Sequence, residues 1–177
     1  MTFSAAIRAV RTASFAPALA GLFLTTVATA ARAPQPLPGD IAAPGAAVQM
    51  TAHAVGAQIY ECVADAPGKP GWRFREPIAT LLIGGRTVGR HFAGPSWELA
   101  DGSLIVGKVV GSTPGANGDD IPWLKLEGAA GRGQFATVAM IQRVNTQGGA
   151  LAGACHRPGE LTAVPYTSDY VFLTKGG

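Results

Sequence analysis

Charge is scarce in this chain, and so are aromatic rings, histidine and cysteine. Lys, Arg, Asp and Glu make up 14% of the 177 residues and aromatics 7%, with three His and two Cys. No G-x-G-x-x-G follows a strand and no βαβ alternation can be drawn, which excludes a dinucleotide-binding fold. No serine sits in a G-x-S-x-G elbow, and no C-x-x-C is present, so a catalytic redox pair is not expected. Long charge runs, internal repeats and, beyond the N-terminal segment, long amphipathic helices are also missing.

The N-terminus is informative. Arg8 and Arg11 precede an apolar stretch over 15–28, interrupted by Pro17. Two small-x-small sites follow, Ala28-Thr29-Ala30 and Ala31-Arg32-Ala33. That is the layout of a cleaved secretory signal over 1–33. The apolar run is shorter than the ~20 residues that span a bilayer, so no stable membrane insertion is expected after cleavage. A cut after Ala33 removes Arg8, Arg11 and Arg32 from the fourteen basic residues, leaving eleven to match eleven acids. The net charge of +3 belongs to the leader. Without a basic face, no nucleic-acid partner is expected. The expected location is the periplasm or the exterior of the cell.

Cys62 and Cys155 both survive that cut. An even pair in an exported chain reads as a disulfide, the alternative being two buried thiols. The bond would close a 93-residue loop, which the chain-entropy account credits with about 4 to 5 kcal/mol.

Glycine and proline punctuate what remains, with 23 of the 24 Gly and 12 of the 13 Pro lying beyond residue 33. Short apolar runs between them predict an all-β, single-domain antiparallel sandwich or barrel-like fold over 47–175, after an extended Pro/Ala-rich lead-in over 34–46. Expected strands are 47–53, 57–63, 72–75, 78–83, 87–92, 97–100, 103–110, 121–127, 134–144 and 166–173. Gly84-Gly85 and Asp101-Gly102 are hairpin turns, because such turns need positive φ, so the middle of the chain reads as a meander. Residues 135–141, apolar on both faces, suggest a central strand. Gln58, Tyr60 and Cys62 share one strand face.

The densest polar-aromatic segment runs over 88–103 and holds His91, Ser96, Trp97, Glu98, Asp101 and Ser103. His91 suits a general base paired with Glu98 or Asp101, since imidazole titrates near neutrality. Strand alternation puts Trp97 and Leu99 on one face and Glu98 on the other. Glu98 could then face His91 across neighbouring strands. A three-His zinc site from His53, His91 and His156 matches no local ligand spacing, and neither metal nor cofactor is expected. Ser96 and Ser103 make weak nucleophiles for want of an elbow. Asn117-Gly118-Asp119-Asp120 lacks calcium-loop spacing and reads as an acidic turn. Trp72, Trp97 and Trp123, with Tyr60, Tyr166 and Tyr170, could stack on a glycan or small ligand. Trp97, His91 and Tyr60 are the candidates for such a site, with Trp97 expected to be the best exposed.

The segment over 88–103 resembles the signature of a secreted bacterial and fungal family known only as a domain of unknown function. Further matching pieces are Ala54-Val55-Gly56-Ala57-Gln58-Ile59-Tyr60-Glu61-Cys62, Ile121-Pro122-Trp123-Leu124, Ile141-Gln142-Arg143-Val144-Asn145-Thr146-Gln147-Gly148-Gly149 and Val164-Pro165-Tyr166-Thr167-Ser168-Asp169-Tyr170. The resemblance implies no activity. Some fungal members carry a dehydrogenase label, which the absent nucleotide-binding motif does not support here. The expected function is a non-catalytic, exported or envelope-associated β-domain that binds a small ligand or glycan. The alternative is a hydrolase or metal-dependent enzyme centred on His91, Glu98 and Asp101.

Overall fold

The computed structural model describes residues 37–65 and 68–175; the expected signal segment over 1–33 lies outside them. Eight strands follow one another: β1 (Ala47–Asp65), β2 (Lys69–Ile83), β3 (Arg86–Phe92), β4 (Ser96–Leu99), β5 (Leu104–Thr113), β6 (Trp123–Arg132), β7 (Val138–Gly148) and β8 (Leu161–Thr174). Each pairs antiparallel with the next, and β8 returns to β1 to close a barrel. Of the two expected architectures the chain takes the barrel, and the meander extends over the whole sheet.

Two pairs of expected strands are in fact single long ones. Gly56 does not interrupt β1, where it pairs with Ala79 on one side and Tyr166 on the other. Pro77 lies within β2 opposite Gln58. The expected turns are in place. Gly84 and Gly85 both have positive φ, 56° and 76°, between paired Ile83 and Arg86. Gly102 has φ 84° in the β4–β5 connection.

Eight strands leave an interior just wide enough to be filled by side chains or to hold one small ligand. This barrel does both. Toward one end Phe135, Ile141, Phe172, Ile105 and Leu126 are buried in the core cluster. Phe135 and Phe172 lie 4.7 Å apart between ring centroids. Phe135 sits on a 3-10 turn (Gly133–Phe135) ahead of β7, not within a strand as its apolar neighbourhood suggested. The lead-in also contains a 3-10 turn (Gly39–Ile41) where extended chain was expected. Ile41 is fully buried there. Gln142 Nε2 donates to its carbonyl at 2.7 Å, and Lys125 Nζ donates to Ala42 O at 3.2 Å. Gln142 alternates with inward Ile141, so the lead-in is sealed to the outside of the wall.

At the other end the β1–β2 arm is tied down by Cys62–Cys155, with Cα atoms 5.8 Å apart. That value is normal for a disulfide. Trp72 N–H donates to Gly153 O and Cys155 N–H to Pro70 O, fixing the loop between β7 and β8 to β2.

Candidate functional site

Above the packed end the interior opens into a cup of about 480 Å³. Its side chains follow from strand pairing, because directly paired residues present the same face. His91 pairs with Trp97 across β3 and β4, and Trp97 pairs with Ile105 on β5. Arg143 on β7 pairs with Leu124 on one side and Tyr170 on the other. Gln58 and Tyr60 enter from β1.

The buried part of the cup is a stack of rings. His91 and Trp97 lie 4.6 Å apart at 12° between planes. Tyr170 contacts both, at 4.8 Å and 5.2 Å. His91 Nδ1 is 2.8 Å from Ser96 O. A carbonyl only accepts, so Nδ1 carries the proton and Nε2 keeps the lone pair. Burial pushes the imidazole pKa down to about 4, and the charge of Arg143 adds to this, while the Ser96 bond opposes it. His91 is therefore neutral at pH 7. Burial, reinforced by neighbouring Tyr170, also holds the Tyr166 phenol far above its usual range. Tyr60 is raised by burial, against the Leu151 N–H and Arg143.

Arg143 brings a cation to the cup. It is half-buried, and Nε and Nη2 both donate to Pro122 O, at 3.0 and 2.9 Å. Among the described residues no carboxylate pairs with it; the ion pairs of the barrel lie elsewhere. Two residues of the lining carry buried side-chain donors: Trp97 Nε1, which has no acceptor among the described residues, and Gln58 Nε2, which is set against the Tyr166 phenol and opposes the rise in its pKa. Gln58 is 2% exposed and Trp97 1%.

The sequence candidates divide. His91, Trp97 and Tyr60 all line the cup. Trp97, expected to be the best exposed aromatic, is instead one of the most buried side chains. Tyr60 has its hydroxyl occupied: it donates to Gly149 O at 2.7 Å and accepts from Leu151 N at 3.2 Å. It is a strut for the β7–β8 loop.

Glu98 does not meet His91. Glu98 pairs with Arg90 on the outer face, with Oε2 at 2.6 Å from Nη2 and 2.8 Å from Nε. His91 points inward. Asp101 lies beyond β4 at the end of the barrel opposite the β3–β4 connection. It accepts from Gln134 Nε2 at 2.7 Å and Ser103 N at 2.9 Å, and these bonds hold its carboxyl below the usual range. The expected grouping of His91 with Glu98 and Asp101 is thus not assembled. The strand register allots Glu98 to Arg90, and the turn occupies Asp101.

The remaining candidates are also placed. His53 is outward, 2.8 Å from Asp169 Oδ1, and His156 is exposed in the β7–β8 loop, so the three histidines do not converge. No group of three His, Cys, Asp or Glu that could hold a metal occurs among the described residues. Ser103 Oγ accepts from Gln134 N at 2.8 Å, and the Ser96 carbonyl holds His91. Asp120 accepts from Asn117 through one oxygen and from Gly148 N through the other, which makes this segment a self-bonded turn. Arg143 and Gln58 were not singled out from the sequence as site residues. The available signal was their parity: a cation beyond Ile141 and an amide two residues before Tyr60, each on an inward face.

The molecule is an eight-stranded up-and-down barrel, packed at one end and hollow at the other. The chain belongs to the family described as Protein of unknown function (DUF3455), whose model matches residues 42–84 and 82–174. The two matched stretches meet at the β2–β3 hairpin. No curated protein and no solved structure gives a significant match.

Proposed function

We propose that this barrel is an exported binding domain that seats one small ligand in the cup. The observation that carries the reading is the cavity itself, an apolar and aromatic cup whose lining includes a cation with no acid beside it among the described residues, Arg143. The cavity volume falls within the range of roughly 300 to 1,000 Å³ typical of small-molecule sites. Aromatic and aliphatic walls around a few polar groups fit the same class.

Trp97 lies inside rather than as an open platform, which favours a compact molecule over a long glycan. His91 has no carboxylate beside it and is neutral, so we do not carry the hydrolase reading further. Export is supported by the leader pattern and by the disulfide. No helix of the described residues is long and apolar enough to cross a membrane. Outward ion pairs on the wall, Arg90–Glu98 and His53–Asp169, favour a water-facing exterior over a lipid-facing one.

The reading is tested by titrating the protein with a small-molecule fragment set and following its amide and indole N–H resonances. Bound fragments should move the Trp97 indole and Gln58 side-chain signals and leave the Trp123 indole, which lies outside the cup, in place. A set that shifts only surface resonances would count against the proposal.

A further inference from the structure

The cup contains one charge that nothing in the wall balances. The Arg143 guanidinium has five N–H groups, and Pro122 O receives two of them, from Nε and Nη2. The carbonyl carries no charge to offset the cation. Arg75, also on the lining, is already set against Glu61 and Glu76 at 3.7 and 3.4 Å. Arg143 differs in having no acid beside it among the described residues. Its charge is felt by Tyr60 and His91 of the cup and by the buried Tyr166. A half-buried cation with no acid beside it favours an incoming anion. The planar guanidinium fork matches a carboxylate in particular.

We infer that the cup is selective for small monocarboxylates with an apolar body, received at the Arg143 guanidinium. This deepens, and rests on, the ligand-binding reading above. The count of charges sets the class. With Arg75 set against its two glutamates, Arg143 supplies the single unbalanced positive charge of the lining, which suits one carboxylate. A phosphate dianion would call for a second cation or a nest of backbone N–H groups. The remaining wall sets the body of the ligand. Phe74, Pro95, Leu124 and Tyr170 line the cavity and offer surface to a ring or a short alkyl chain.

The test compares acids with their own amides on the wild-type protein by calorimetry at pH 7.5. Probes are benzoate, phenylacetate and octanoate, each beside the corresponding primary amide, with inorganic phosphate as a further arm. At least one acid should bind about ten-fold or more tightly than its amide, a ratio typical of one charged hydrogen-bonded contact. Arg143→Gln should remove that preference while leaving amide affinity within about two-fold, and Arg143→Lys should retain part of it. Far-ultraviolet circular dichroism checks that the variants fold; the acid–amide comparison needs no variant. If amides bind as tightly as acids, the carboxylate inference falls and the ligand-binding reading stands. Phosphate binding more tightly than every carboxylate also overturns the inference. If no acid or amide binds, and the fragment titration also leaves the cup resonances unmoved, both fall.

Discussion

His91 and Trp97 occupy directly paired positions on β3 and β4, and their rings stack inside the barrel 4.6 Å apart. The imidazole is thereby enclosed between an indole, the Tyr170 ring and the field of Arg143, with only the Ser96 carbonyl favouring its protonated form.

Stability should therefore fall in mild acid. The His91 pKa is about 4 when folded, against roughly 6.5 in an unfolded chain. Between these values the unfolded state binds the extra proton, so stability is full above about pH 6.5 and declines as pH drops toward 4, by about 3 kcal/mol from this residue. Below about pH 4 this contribution levels off. Urea melts at several pH values on wild type and His91→Phe measure it, and the variant should have a flatter profile across that window. Parallel profiles would refute the assignment.

Glu98→Gln should leave the environment of His91 untouched. The Arg90–Glu98 pair faces outward, with side chains 68% and 26% exposed, so its loss should cost no more than about 1 kcal/mol. An NMR titration of His91 should superimpose for wild type and variant. A shifted midpoint would show that the two groups communicate through the wall.

Removing the disulfide should matter more. Cys62→Ser with Cys155→Ser opens a loop of 93 residues, with an expected loss of about 2 to 5 kcal/mol. Guanidinium melts give the size. Hydrogen exchange should also quicken at the Trp72 amide and at the amide of position 155, which are bonded across this junction. Unchanged melts and exchange would mean that the backbone bonds alone hold the arm.

Gly107→Ala probes the floor of the cup. A Cβ at this position would lie 2.9 Å from Trp97 Cζ3 and 3.1 Å from Leu126 Cδ2. The indole is stacked and has little room to yield, so a loss of about 1 to 3 kcal/mol is expected from overpacking. Trp97 fluorescence should change with it. A variant as stable as wild type, with the same emission, would show the floor to be softer than its packing suggests.

The fold was legible where local chemistry decides it. Gly84-Gly85 and Asp101-Gly102 announced their turns, and the shared face of Gln58, Tyr60 and Cys62 followed from period two alone. Strand counts failed at Gly56 and Pro77, where Gly and Pro read as breaks but sit within long strands flanked by paired neighbours. The cup was half legible. Trp97, His91 and Tyr60 were recognisable as one chemical group, but which acid reached His91 depended on register. The Ala93–Pro95 connection pairs Phe92 with Ser96 and so Arg90 with Glu98. An attraction between His91 and Glu98 was plausible by distance in sequence and void by face. Arg143 escaped notice because no partner in the nearby sequence marks it; its isolation shows only when the barrel closes around it.

Closure itself has a consequence for how the molecule is made. Every strand up to β7 finds its partner in the segment just before it, but the far side of β1 pairs with β8, the last strand of the sheet. A chain emerging from its N-terminus must therefore carry one long unsatisfied edge, 47–61, until residues 161–174 arrive to cover it. Until then that edge can template pairing with a second nascent copy. Loss of even the final strand would leave two such edges rather than a smaller barrel.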